Sequence, residues 1–233
     1  MNMKRKTIIT AIISNTLIIA LLAILFSVCL PMKATSAVSA PIYRGDESKN
    51  AVGIMINVYE GSEYVEKILN ILEKYNASCT FFVGGVWAEK NVSLVRKMSE
   101  RAELGNHGYL HQDHAAISER RNEEEIMLCH NLIHKITGIN MNLFAPPSGS
   151  FDDTVLSVCE NNNYRVIMWS KDTIDWRDKD YELITKRATS EIQNGDLILM
   201  HPTENTVKAL PYILDFYKQK NLTPVTVSDL LGL

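Results

Sequence analysis

Residues 51–85, AVGIMINVYEGSEYVEKILNILEKYNASCTFFVGG, read as a strand, a helix and a second strand in one uninterrupted run. The first segment, AVGIMIN, is apolar, and the last, SCTFFVGG, is short, aromatic and β-branched. Between them Val65, Ile68, Leu69 and Leu72 recur at helical spacing, the period that gives one face of a helix a core to pack on. Two strands joined by a helix are parallel neighbours, because a tight hairpin cannot return the chain in the same direction.

The alternation continues to the C-terminus. VSLVRKMSERAE reads as a helix, a longer helix runs from about Glu119 to Thr137 and stops at Gly138, and NLFAPPSG is a strand ended by Pro146 and Pro147. DDTVLSVCENNN (helix), RVIMWS (strand), DYELITKRATSEIQ (helix) and GDLILMHP (strand, opened by the Asn194-Gly195 turn) follow. A helix near Val207 to Lys220, with Pro211 marking a kink or a first turn, and the strand TPVTV close the chain. About seven strands alternating with helices predict an α/β fold, an irregular parallel (β/α) barrel; the lack of a glycine-rich phosphate loop argues against a nucleotide-binding version.

A chain of 233 residues, 46% hydrophobic and 22% charged, buries one core. With 24 basic and 27 acidic residues its formal charge is −3, without the basic excess of a nucleic-acid binder. The N-terminus is of another kind: Lys4, Arg5 and Lys6 precede an uncharged run from Thr7 to Leu30. Residues 1–30 therefore read as a membrane anchor, or as a signal segment cleaved near ATSAVSA, with the rest carried out of the cytoplasm by the positive-inside rule. Residues 31–50 read as a linker, and 51–233 as the domain. Cys79, Cys129 and Cys159 lack paired spacing and are expected as buried apolar residues.

In parallel β/α folds chemistry gathers at the C-terminal ends of strands. The residues there are Asn57 to Gly61, His107 and His111, Ala145 to Gly149, Asp172, Asp175 and Trp176, and His201. HGYLH places two imidazoles where a turned backbone can aim both at one metal. His201 ends the apolar strand LILM and faces the same region, whereas His114 is expected at the surface, and His130 and His134 as ordinary residues of the long helix.

Taken in order, these segments resemble the polysaccharide deacetylase family, the NodB-homology domains of carbohydrate esterase family 4, from about Val52 to Leu231. HGYLH matches the family's second motif, DTIDW its fourth and LMH, Leu199 to His201, its fifth. The membrane-anchored, sporulation-type branch is most similar. The resemblance implies hydrolysis of N-acetyl groups on an extracytoplasmic N-acetylglucosamine polymer, peptidoglycan foremost. His107 and His111 would be ligands of a divalent metal such as zinc, His201 the general acid with Asp175 (less well Asp172) raising its pKa, Leu199 the acetyl pocket, and Trp176 a sugar platform. The backbone N–H of Ser148 would help hold an oxyanion.

Two motifs depart. The family's strand-end TFDD, which supplies a base and a third metal ligand, falls without gaps on Met55, Ile56, Asn57 and Val58. Aligned instead on Gly61 it falls on residues ending in Tyr59 and Glu60. The first register is preferred, with Glu60 close enough to serve as a substitute ligand. RPPYG is APPSG, so an arginine that would orient the base is Ala145. Asn57 cannot take a proton near neutral pH, and loss of a general base forfeits about 3 to 5 kcal/mol of rate acceleration. The expectation is weak metal-dependent deacetylation; the alternative is an inactive relative that binds wall glycan or a protein partner.

Overall fold

The computed structural model describes residues 13–22 and 39–233. Residues 13–22 are helical, and among the described residues no helix is long and apolar enough to cross a membrane. The remainder of the expected membrane segment, Thr7 to Leu30, lies outside the described residues. The chain divides into two units, Met1–Ala37 and Val38–Leu233.

The second unit alternates as its sequence requires. Strands β1 (Ala51–Val58), β2 (Thr80–Val83), β3 (Glu103–Asn106), β4 (Leu143–Phe144), β5 (Arg165–Val166), β6 (Lys171–Asp172), β7 (Leu197–Met200) and β8 (Thr223–Val225) lie in one sheet. Helices α1 (Ser62–Tyr75), α2 (Gly85–Lys90), α3 (Val92–Arg101), α4 (Glu119–Thr137), α5 (Asp153–Asn161), α6 (Tyr181–Thr189), α7 (Glu204–Gln219) and α8 (Val227–Leu231) connect or follow them. Every pairing is parallel. A path of seven strands, β5-β4-β3-β2-β1-β7-β6, curls into the expected irregular barrel, and β8 pairs with the first residues of β1.

β1 is buried along its whole length, and its two sides meet different partners. Val52, Ile54, Ile56 and Val58 pack in the layer between sheet and helices, with Val65, Ile68, Leu69 and Leu72 of α1. Ala51 and Met55 face the barrel interior, with Phe82, Ala145, Leu197 and Leu199. Val227 and Leu230 of α8 fill that interior from below, and a Cβ at Gly53 would lie 2.6 Å from Leu197 Cδ2 of β7 and 3.1 Å from Leu230 Cδ2, so glycine is what lets both the neighbouring strand's leucine and this plug approach β1.

Three boundaries differ from the sequence reading. The stretch expected as a linker belongs to the domain from Ile42, which bridges to Ile167, and Arg44 pairs at 3.0 Å with the fully buried Asp196. Within RVIMWS only Arg165–Val166 pairs as a strand, Ile167 adding the single bridge to Ile42, and a second short strand, Lys171–Asp172, begins just after it. α7 starts at Glu204, where Thr203 Oγ1 accepts the N–H of Thr206 at 3.1 Å, and runs through Pro211 to Gln219.

Candidate functional site

The strand ends bring Asn57, Tyr59, His107, His111 and His201 together at one mouth. Asn57 ends the inward-facing row of β1 and is buried, its Oδ1 without a hydrogen-bond partner. Its neighbour across the ladder is the end of β7, where Ile56 is in register with Met200, one residue before His201.

His201 and Asp175 are held as a pair. The His201 ring Nδ1 lies 2.8 Å from Asp175 Oδ1, and the His201 backbone N–H donates to Oδ2 at 2.7 Å. Thr206 donates its hydroxyl to the same oxygen. Asp175 thus keeps Nδ1–H as the donor and leaves the other ring nitrogen to the cleft. Asp172 serves the loop instead, accepting the N–H of Ile174 at 2.8 Å. Ile174 sits at φ 54, a left-handed conformation a β-branched residue adopts only under constraint. Arg187 supplies that constraint, bonding Thr173 O at 3.0 Å and Asp178 Oδ2 at 2.6 Å.

The HGYLH turn is fixed from behind by polar groups that sequence reading passed over. Gly108 and His111 both have positive φ. Asn106 Oδ1 accepts the Gly108 N–H at 2.9 Å, and Glu125, fully buried on α4, accepts those of Tyr109 and Leu110 at 2.9 and 2.6 Å. Arg121 neutralises that carboxylate at 2.7 Å. His114, expected at the surface, is buried: its Nδ1 lies 2.6 Å from Asn122 Oδ1, and a Cβ at Gly108 would meet its Nε2 at 2.9 Å. Packing under a glycine turn explains a histidine inside an otherwise polar loop. His134 is exposed and His130 shares a hydrogen bond with the Tyr164 hydroxyl at 2.7 Å.

The metal question is decided at residues 57–60. His107 donates Nδ1–H to Ala145 O at 2.7 Å, and its ring meets that of His111 edge-on with centroids 5.0 Å apart. Burial pushes the His107 pKa down to about 3, with His111 contributing, and burial lowers that of His111 as well. Both are neutral imidazoles, as ligands must be. Val58, where the preferred register put the third ligand, points away into the helix-facing core; successive side chains of a strand take opposite sides, so Asn57 and Val58 cannot both face the mouth. Tyr59 stacks on His111, with centroids 4.3 Å apart. Glu60, the expected substitute ligand, is exposed at the turn, and among the described residues no group of three or more His, Cys, Asp or Glu side chains is placed to hold a metal ion. Two imidazoles beside an amide and an aromatic ring do not fit a divalent cation, which at such sites takes three protein ligands.

The other expected residues are dispersed around this centre. Leu199 lines the barrel interior. Ser148 is exposed in a turn at φ 55. Trp176 is 61% exposed, with the Arg177 guanidinium 5.9 Å from its ring centroid.

A model of the polysaccharide deacetylase family matches residues 44–167. The uncharacterized protein YlxY of Bacillus subtilis is 38% identical over 192 residues, 82% of this chain and 60% of that protein, so the matched part spans less than two thirds of the relative's length. A peptidoglycan-N-acetylglucosamine deacetylase of Bacillus cereus is 31% identical over 175 residues, 72% of this chain and 82% of its own. Among solved structures, wild-type BA3943 of Bacillus anthracis, described as a CE4 family pseudoenzyme, superposes with a TM-score of 0.80 at 35% identity, covering 82% of this chain and 69% of that one. A BA3943 mutant with restored enzymatic activity gives 0.80 at 33% identity, over 82% and 71% of the two chains.

Proposed function

The chain belongs to the polysaccharide deacetylase family, and from that premise we propose that it is a catalytically silent member that binds a cell-wall N-acetylglucosamine polymer at the mouth of its barrel. The observation that carries this reading is Asn57: an amide, not a carboxylate, ends β1 beside the intact His201–Asp175 pair. An amide does not accept the proton of an attacking water, so the acid side of an amide hydrolysis is present and the base side is not. The groups that hold a glycan do not depend on that base. Leu199, Ser148 and Trp176 are the candidates for those groups, and buried polar bonds that hold the HGYLH and DTIDW loops support the reading. Peptidoglycan is the polymer that the similarity to peptidoglycan deacetylases favours.

The test measures both properties on one sample. The full-length chain is expected to bind a tetramer of N-acetylglucosamine while releasing no acetate from it above the rate of a His201→Ala variant. Acetate release that His201→Ala abolishes would refute the silent reading; absence of tetramer binding would refute the glycan.

We further propose that the domain works outside the cytoplasm, tethered by its N-terminal segment. Lys4 to Lys6 before an uncharged run to Leu30 support this orientation. A fusion after Leu233 to a reporter active only outside the cytoplasm should be active, and an inactive fusion that accumulates normally would overturn the orientation.

A further inference from the structure

Tyr59 is the residue at the mouth that neither deacetylation nor its loss accounts for. It lies two positions beyond Asn57, immediately past β1, and stacks on the His111 imidazole at an interplanar angle of 30°. His111 meets His107 edge-on, so three rings run in series from the surface to the barrel end. The inner member is buried, and Tyr59, the outer one, is 38% exposed. The ring has a built berth: a Cβ at Gly84 would lie 3.2 Å from Tyr59 Cδ2, and Gly84 N–H donates to Val58 O at 3.0 Å, fixing the glycine beside the strand end. Leu110, on the turn between the two histidines, is 41% exposed, and Trp176 follows directly on Asp175, the partner of His201. The rings exposed on the open side of this centre are therefore aromatic and apolar, with the exposed Glu60 carboxylate near enough to act on His111 but not joined with the imidazoles in a group of three ligands.

A pyranose ring carries its hydroxyls around the rim and presents C–H groups on its faces. An exposed aromatic ring held rigidly buries such a face at little cost in side-chain freedom. We infer that Tyr59 makes the third corner of the histidine centre a stacking surface for a pyranose ring, so that the chain holds its glycan without a divalent cation. The inference rests on the glycan-binding reading above and adds to it the residue and the metal independence.

The experiment titrates the full-length chain with the N-acetylglucosamine tetramer by calorimetry, once with EDTA and once with zinc. Equal affinity in the two buffers is expected for the native chain and for Tyr59→Phe, with a loss of about tenfold or more for Tyr59→Ala. Tyr59→Asp, which sets a carboxylate beside the two imidazoles, should retain about one zinc per chain after gel filtration and lose tetramer affinity. If EDTA removes binding by the native chain, or Tyr59→Ala binds as well as native while Trp176→Ala binds less well, the inference is overturned and the glycan reading stands. If Tyr59→Asp, folded by circular dichroism, holds no more zinc than native, the assignment of this corner is wrong. If the native chain binds no tetramer at all, the glycan reading itself fails.

Discussion

Asp175 grips His201 at two points, its Oδ1 on the ring Nδ1 at 2.8 Å and its Oδ2 on the backbone N–H at 2.7 Å. The carboxylate is fully buried and also accepts the Thr206 hydroxyl from α7, so one side chain ties the DTIDW loop, the end of β7 and the start of α7. Asp175→Asn replaces one acceptor oxygen by a donor facing an N–H or O–H. A loss of about 2 to 3 kcal/mol is expected, read as a lower urea midpoint by tryptophan fluorescence. Thr206→Val, which removes one of the three donors, should cost about 1 kcal/mol. An unchanged midpoint in Asp175→Asn would show that the clamp contributes nothing to stability.

Ile174 gives the same loop a second test. Its φ of 54 costs an L-residue roughly 1 to 2 kcal/mol, and asparagine tolerates the region better than a β-branched side chain. Ile174 is only half-buried, so little packing is lost on replacement. Ile174→Asn is expected to raise the unfolding free energy by about 1 kcal/mol and leave tetramer binding unaltered. A lowered melting temperature would mean that the isoleucine side chain, not the backbone around it, holds the loop.

His114 sets a pH dependence. Burial lowers its pKa below the ordinary 6.5, the hydrogen bond with Asn122 and the nearby Glu125 and Asp113 only partly opposing this. A depressed folded value means that the unfolded chain binds the proton first as pH falls. The stability gained from keeping the ring neutral is therefore fully present above about pH 6.5 and is lost progressively below it. The slope is at most about 1.4 kcal/mol per pH unit for one proton. In His114→Leu, where an apolar side chain takes the place beside Phe144, the difference in unfolding free energy between pH 7 and pH 5 should shrink, even if Asn122, deprived of its partner, lowers stability at both. An identical pH slope in the variant would assign the acid sensitivity elsewhere, to His107 and His111 first.

The sequence and the structure agree on the main strands and helices, with the short helices α2 and α8 seen only in the structure, and diverge on directions. The apolar period of residues 62–75 predicts both α1 and its buried face, Val65, Ile68, Leu69 and Leu72, because a half-exposed helix must mark its inner side with apolar residues. β1 carries no such mark. It is covered on both sides, so all eight of its residues are buried, and nothing in AVGIMINV says which of Asn57 and Val58 faces the mouth. Each register weighed from sequence contributes one residue that lies at the mouth, Asn57 by gap-free counting and Tyr59 by counting from Gly61. Gly61 itself is fixed by a neighbour far along the chain, since a Cβ there would lie 2.0 Å from Pro202 O. Glu125 was equally illegible, one acid in the run Glu123–Glu124–Glu125, and only the fold turns it toward the HGYLH backbone.

The direction of Val58 changes how activity would be restored. The gap-free register prescribes Asn57→Asp, Val58→Asp and Ala145→Arg, but Val58 is fully buried among Ile56, Val65 and the helix-facing core. A carboxylate there has no partner and costs several kcal/mol, so that triple variant is expected to be poorly folded and inactive. Asn57→Asp, Tyr59→Asp and Ala145→Arg place both acids on the side of the mouth, one beside His201 and one beside His111. Ala145 is itself fully buried in the barrel interior, so the arginine is tolerated only while Asp replaces Asn57 and pairs with it; Ala145→Arg alone should be strongly destabilising. Groups that act as a unit gain little singly, and each single change should release no more acetate than native from an N-acetylglucosamine oligomer with zinc present. The Tyr59-based triple should release it well above native, and adding His201→Ala should remove the gain. If the Val58-based triple folds and hydrolyses the oligomer while the Tyr59-based one does not, the strand directions assigned to residues 57–59 are wrong.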